Sequence, residues 1–326
     1  MNNFIKEQID SFNGKKYSIS KDLAPFINNP LYLYIQIKNN NVIASNPPNH
    51  FRKQQHSLDR KKRIIKMIQN SIKLNKINDT DMIIKIFDTY EWNYDIPCFN
   101  LSLPENKQGF MFPHYDFIKF NKLGIDYDTM KLKIKNYNPK IIENDIYFKG
   151  RNTTNTKSNI RVMLSQLDYP FSINISDDNV QGDNSEPIYF LKKHKYLLDL
   201  PGLQPWSVRF KYLCLCERVF IRISFYNSKF EEKGYWKQMS DLYFRENIDY
   251  VHLKYDIDFE KPLSKTILNK IIKDIENVYS KFEKNPILYK TMVNNLKKSA
   301  NKISLNNIYK YISTMINSYT KNLLIK

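Results

Sequence analysis

Lys195-Tyr-Leu-Leu-Asp-Leu-Pro-Gly-Leu-Gln-Pro-Trp-Ser-Val-Arg-Phe-Lys-Tyr-Leu-Cys-Leu-Cys216, followed shortly by Val219-Phe-Ile-Arg-Ile223, is the stretch that decides the fold class. Lys195 to Leu200 reads as a strand, Phe210 to Cys216 as a helix, and Val219 to Ile223 as the next strand. A strand, a connecting helix and a second strand make a βαβ unit, which belongs in a parallel sheet and winds right-handed. An α/β chain is therefore expected. The knot of Pro, Gly, Trp, Ser and Arg between strand and helix is conspicuous in a chain with only seven glycines. Gly202 permits a sharp turn and close backbone approach. The helix is expected to start near Trp206 or Ser207. Its first N–H groups lack partners and its dipole is positive there, which suits an anion. Ser207 adds a hydroxyl and Arg209 a two-pronged fork for phosphate. Trp206 either packs a sugar or base or fills the loop. The plainer reading is an ordinary helix start with a surface arginine. The stretch is neither GxGxxG nor a P-loop and assigns no nucleotide by itself.

A second segment has the same character. Asp145-Ile-Tyr-Phe-Lys149 reads as a strand and runs into Gly150-Arg-Asn-Thr-Thr154, with Arg161 further on. Gly150, Arg151, Thr153, Thr154 and Arg161 are thus candidate ligands beside Gly202, Trp206, Ser207 and Arg209. In one parallel sheet, two such strand-end loops face a common crevice and fit a diphosphate. A third buried-strand run, Asp81-Met-Ile-Ile-Lys-Ile-Phe87, leads into Asp88. Ligands of open α/β sheets bind beyond the carboxyl ends of the strands. Asp88 is then either a functional acid or the cap of the next turn.

Composition sets the outer limits. The 326 residues fit one large domain or two ordinary ones, and 42% hydrophobic residues suffice for a packed core. The net charge of +18 suggests an anionic partner: nucleic acid, a membrane surface or a phosphorylated small molecule. Abundant Lys, Asn and Ile also fit AT-rich coding and a solvated basic surface. The basic run Arg60-Lys-Lys-Arg63 reads as such a face on a helix over residues 57–74 capped by Ser57, with a nucleic-acid patch as the lesser alternative. The three cysteines, Cys98, Cys214 and Cys216, form no disulfide framework and no zinc pattern. With an N-terminus lacking an apolar signal core, they predict a cytoplasmic or otherwise reducing compartment. No run reaches the ~18 apolar residues of a membrane span.

Elsewhere, residues 31–45 read as two strands joined by an Asn-rich turn, and residues 93–125 as loop. Residues 188–191 read as a short strand or helix. Ser264 and Ser304 each cap a clear helix. On the strand pattern a boundary falls near residue 140, giving domains 1–140 and 141–326.

These residues together resemble glycosyltransferase family 90, the family of protein O-glucosyltransferases and capsule-associated xylosyltransferases. The family pattern K-Y-x-x-x-x-x-G, a short loop, then S-x-R-x-K-x-L is similar to Lys195-Tyr through Gly202, Ser207, Arg209 and Lys211. Phe148-Lys-Gly-Arg-Asn-Thr-Thr154 with Asn159-Ile-Arg161 resembles its F-x-G-x-x-T segment, and Ile84-Lys-Ile-Phe-Asp88 its strand ending in an acid. Phe112-Pro-His-Tyr-Asp-Phe117 and Asn247-Ile-Asp-Tyr-Val-His-Leu253 are similar to its later segments, in the same order. The likeness covers about residues 30 to 320. Phe87 stands where the family usually has a basic residue, and Glu217-Arg218 where it often has Gly or Ser.

The resemblance implies a GT-B-like fold: two Rossmann-like domains facing across a cleft, with C-terminal helices. Domain 1–140 would be the acceptor side and 141–326 would hold the nucleotide sugar. It implies an inverting, metal-independent transfer of glucose or xylose from a UDP-sugar to a hydroxyl of a protein or glycan. No cofactor is implied beyond the donor. Asp88 would be the general base. Arg161, Arg209 and the helix start would stabilise the leaving UDP. Asp79-Thr-Asp81 and Asp177-Asp178 lie where neither pair suits a metal. Two other readings stand beside this one: an inactive UDP-sugar-binding relic, and a basic nucleic-acid-binding or scaffold protein, for which the chain offers no recognised module.

Overall fold

The computed structural model describes residues 2–27, 32–45, 55–86, 96–104, 108–119, 124–151, 159–176, 188–201, 209–228, 236–258 and 261–325. In chain order the helices are α1 (Asn2–Asp10), α2 (Ala24–Ile27), α3 (Gln55–Leu74), α4 (Tyr127–Asn136), α5 (Ile160–Ser165), α6 (Phe210–Leu213), α7 (Lys265–Glu283), α8 (Pro286–Asn301) and α9 (Leu305–Leu323). The strands are β1 (Tyr32–Lys38), β2 (Asn41–Ser45), β3 (Thr80–Lys85), β4 (Phe99–Asn100), β5 (Leu103–Pro104), β6 (Phe110–Met111), β7 (Ile142–Arg151), β8 (Phe171–Ser176), β9 (His194–Asp199), β10 (Val219–Tyr226), β11 (Trp236–Lys237) and β12 (Val251–Asp256). The chain is α/β, with one mixed and one all-parallel five-stranded sheet.

Contacts divide it into two compact units. Unit 1 is Met1–Tyr127, Lys237–Met239 and Ser304–Lys326; unit 2 is Asp128–Trp236 and Ser240–Ile303. The strand pattern sets the boundary at residue 140. The contacts part at residue 127, and the last helix returns to unit 1 because its apolar stripe packs there.

Unit 1 has the sheet order β2-β1-β3-β4-β6. The β1–β2 hairpin turns at Asn39 and Asn40, with φ of 50° and 61°. Asn tolerates this left-handed backbone, which matches the strand twist. Along β1, Leu33, Ile35 and Ile37 are buried while Tyr34 and Gln36 are half-buried, the alternation of a strand with one face on the core. β3, β4 and β6 run parallel, with Lys85 opposite Asn100 and Asn100 opposite Met111. Two-residue strands thus form inside the region expected to be loop. α9 buries Ile308, Ile312, Met315, Ile316 and Tyr319 at helical spacing. Its Tyr311 hydroxyl donates to the Met111 carbonyl at 2.8 Å, and Tyr319 to that of Asp81 at 3.0 Å. Ser304 caps α9, accepting from the Asn307 N–H at 3.2 Å. α3 begins at Gln55, so Ser57 lies in its first turn and is not the expected cap.

Unit 2 is built on the parallel sheet, in the order β12-β10-β9-β7-β8. β7 sits between β8 and β9, so the chain winds one way from β7 to β8 and then returns to the other side. Numbered from β7, the order is 2-1-3-4-5, a doubly wound sheet whose direction reverses between β7 and β9. Seven of the eight β10 residues are buried, as expected for a strand covered on both faces. The core joins Ile146, Phe148, Leu198, Ile221 and Ile223 of the sheet to Ile271, Ile275 and Phe282 of α7. Ser264 caps α7, accepting from the Ile267 N–H at 3.3 Å. Residues 188–193 form a 3-10 helix, which resolves the open strand-or-helix reading. Cys98, Cys214 and Cys216 are free and buried. Among the described residues, no helix is long and apolar enough to cross a membrane.

Candidate functional site

The reversal between β7 and β9 brings two strand ends side by side at the carboxyl edge of the sheet. Tyr147 pairs with Leu197, so β7 runs on past the end of β9 to Gly150 and Arg151. Two arginines cross this junction in opposite directions. Arg161, on the helix that follows β7, donates from Nη2 to the carbonyl of Leu200 just past β9, at 3.3 Å. Arg209, on the segment that follows β9, donates from Nη1 to the carbonyl of Lys149 on β7. Each guanidinium therefore holds the other strand's end. Both also reach the Phe148 ring, with guanidinium carbons 5.1 Å (Arg161) and 4.8 Å (Arg209) from its centroid. That is cation–π range.

Arg161 is 6% exposed, and Asp199, the last residue of β9, is 1% exposed. Burial pulls the Arg209 pKa below its usual range, opposed by the Asp199 carboxylate and the Tyr147 hydroxyl. An arginine pKa starts so high that the group stays charged. Among the described residues here, two cations face one buried carboxylate, a balance that suits an anionic ligand.

Gly150 is required by packing. A Cβ there would lie 2.7 Å from Cζ of Phe148 and 3.1 Å from Nη2 of Arg209. Phe148 is 1% exposed and cannot swing clear. Gly150→Ala is expected to cost about 1–3 kcal/mol by overpacking, read as a lower urea midpoint. An unchanged midpoint would show that the ring and guanidinium yield freely.

The other sequence candidates divide as follows. Arg151 closes β7. Thr153, Thr154, Gly202, Trp206 and Ser207 lie outside the described residues, as do Phe87 and Asp88. The expected helix start at Trp206 or Ser207 lies outside the described residues. The described helix α6 begins at Phe210 and has four residues, with Arg209 at its N-cap position in αR conformation. So short a helix carries little dipole, and the anion reading rests on the arginines. Sequence reasoning missed Phe148 and Asp199 as members of the site. Asp199 had a usable signal, the same one applied to Asp88: an acid ending a buried strand.

Unit 1 has its own carboxyl edge, formed by β3, β4 and β6. Lys85 and Asn100, each 2% exposed, are paired there. The chain after β6 brings in His114, Tyr115 and Asp116. The Asp116 N–H donates to Nδ1 of His114 at 3.3 Å, and that nitrogen lies 3.4 Å from the Asp116 carboxylate. Asp88 follows two residues after Ile86, the last described residue beyond β3.

No protein-family model and no curated protein matches this chain.

Proposed function

We propose that this chain is an inverting, metal-independent glycosyltransferase that moves glucose or xylose from a UDP-sugar to a hydroxyl of a protein or glycan. The observation that carries this reading is the crossed pair Arg161 and Arg209 at the reversal point of a doubly wound parallel sheet. Ligands of such sheets bind at that point, outside the carboxyl ends of the strands. A diphosphate is the ligand whose charge two converging guanidiniums would balance. The GT-B arrangement, with unit 2 as donor side and unit 1 as acceptor side, belongs to this proposal.

In the proposed reaction Asp88 takes the proton of the acceptor hydroxyl as its oxygen attacks the anomeric carbon from the face opposite UDP. The C–O bond to the diphosphate breaks, and Arg161 and Arg209 stabilise the charge arriving on its oxygen. The configuration at the anomeric carbon inverts.

The test is thermal stabilisation of the protein by UDP, UDP-glucose and UDP-xylose, with and without EDTA. A ligand of the folded state raises the midpoint by mass action. A uridine-dependent rise that survives EDTA is expected. Arg209→Ala should shrink that rise by the equivalent of about a tenfold or greater loss in affinity, since a charge-assisted hydrogen bond is worth about 1.5–3 kcal/mol. Equal shifts for parent and variant would remove Arg209 from the site. One observation favours a second reading, a binding relic without turnover: both guanidiniums already serve backbone carbonyls. In that case UDP stabilises the protein and no sugar is transferred or hydrolysed.

A further inference from the structure

Unit 1 holds a cavity of about 240 Å³ where β1 ends, β3 begins and α9 ends. Asp79, Thr80 and Asp81 line it from the start of β3, Gln36 and Lys38 from the end of β1, and Thr320 from α9. Ile37, Leu324 and Ile325 give it an apolar side. Asp81 accepts at Oδ1 from the Tyr34 hydroxyl and from Nε2 of Gln36, the latter at 3.1 Å. Burial and the Asp81 carboxylate push the Tyr34 pKa up, so the hydroxyl stays the donor of that pair. Asp79 accepts at Oδ1 from the Asn39 N–H at 2.9 Å. Among the described residues neither Oδ2 has a donor and neither aspartate has an ion-pair partner, Lys38 included. In a chain of net charge +18, two neighbouring carboxylates without a cation are the exception. Between them Thr80 is 4% exposed, and its hydroxyl oxygen has no hydrogen-bond partner among the described residues. Buried hydroxyls are normally satisfied. α9 turns its carbonyl end this way, which adds partial negative charge, and Lys16 offsets part of it by donating to the Asn322 carbonyl.

We propose that this cavity binds a primary alkylammonium ion. An ammonium carries three N–H donors and no acceptor. The cavity offers three oxygens of the matching kind: Oδ2 of Asp79, Oδ2 of Asp81 and the Thr80 hydroxyl. The apolar side suits the alkyl stem, much as lysine stems lie along apolar surface with the charged head in polar surroundings. The volume is below the roughly 300–1,000 Å³ of pockets for drug-sized ligands and well above that of a bare ion. A short amine fits it better than a metal ion does. A free amine and a lysine side chain present the same group. The site is independent of the transfer reaction proposed above.

The experiment titrates butylamine, 1-butanol, Mg²⁺ and Nα-acetyl-lysine amide into the whole protein by calorimetry, and repeats this with Asp79→Asn and Thr80→Val. Asparagine keeps the oxygen that the Asn39 N–H uses and loses the charge. Valine keeps the shape of threonine and loses a hydroxyl with no partner in the chain, so Thr80→Val should not lower the unfolding midpoint. Butylamine is expected to bind at one saturable site, and 1-butanol, a similar stem without the charge, to show none. Asp79→Asn should weaken butylamine about tenfold or more, since a charge-assisted hydrogen bond becomes a neutral one, and Thr80→Val roughly two- to tenfold. If Asp79→Asn does not fold, Thr80→Val decides. The proposal is overturned if butylamine binds no better than 1-butanol, if Mg²⁺ binds more tightly than the amine, or if Thr80→Val binds butylamine as the parent does. Tighter binding of acetyl-lysine amide than of butylamine supports the site with a protein lysine as its source; weaker binding supports it with a free amine.

Discussion

Asp88→Asn is expected to lower transfer by roughly 10²- to 10⁴-fold, the contribution of a positioned general base, while UDP still stabilises the protein as it does the parent. The change keeps the size of the side chain and removes only its ability to take a proton at neutral pH. In the sequence the acid comes two residues after Ile86, and Met82 to Ile86 are all buried. Binding and rate should separate because the proposed phosphate ligands, Arg161 and Arg209, belong to unit 2 and Asp88 to unit 1. The check is paired: UDP thermal shift and single-turnover transfer on the same preparation. Retained transfer would refute the base assignment.

The largest effect on stability is expected at Asp241. Its carboxylate pairs with Arg222 on β10, and the two side chains are 6% and 2% exposed. The Arg222 guanidinium also sits 4.3 Å from the centroid of Phe210. In register, Arg222 lies level with Asp199 on one neighbouring strand and His252 on the other. Burial pushes the His252 pKa down, so that ring adds no second cation at neutral pH. Asp241→Asn leaves a buried cation short of its partner, which costs about 3–5 kcal/mol. Against a typical total of about 5–15 kcal/mol, this brings the protein close to unfolding in denaturant titrations. A loss under about 1 kcal/mol, the scale of an exposed pair, would show that Asp199 neutralises Arg222 without Asp241. Replacing both partners by Met and Leu should recover most of the loss, because it is the unpaired charge that costs.

Much of unit 2 was legible in the sequence. Strands covered on both faces are continuous apolar runs, so β9 and β10 are visible as Lys195–Leu200 and Val219–Ile223, within a few residues of their observed ends. α7 and α9 show a 3.6-residue apolar period and a serine cap. α8 carried equally good marks, the Asn285 cap accepting from the Leu288 N–H and Pro286 in the first turn, and they were overlooked. β4, β5 and β6 could not be read. Two residues show no period, and strands this short form only because neighbouring chain offers them a place.

The candidate site was legible as a list of residues and not as a geometry. Spacing places Arg209 at a helix start, where it would address a ligand through local dipoles. It reaches Lys149 instead because β7 and β9 are neighbours in the sheet, although β8 separates them in the chain. No local pattern encodes that adjacency. The same limit applies to Arg60, which donates to the carbonyl of Ile86 just past β3. A periodicity argument sees its charge and not what it holds.

The crossed arginines make the ends of β7 and β9 thermodynamically reciprocal. Each end supplies the cation that satisfies the other's carbonyl. An anion that recruits Arg209 draws on the donor restraining β7, and one that recruits Arg161 draws on the donor restraining the chain past β9. A guanidinium has five N–H donors, so a ligand spanning both can be held without either carbonyl being abandoned. A monoanion reaching only one arginine strains the latch on a single side. Linkage then ranks ligands by span as well as by charge: the free-energy coupling between the two ends favours an occupant with two anionic groups over two occupants with one each.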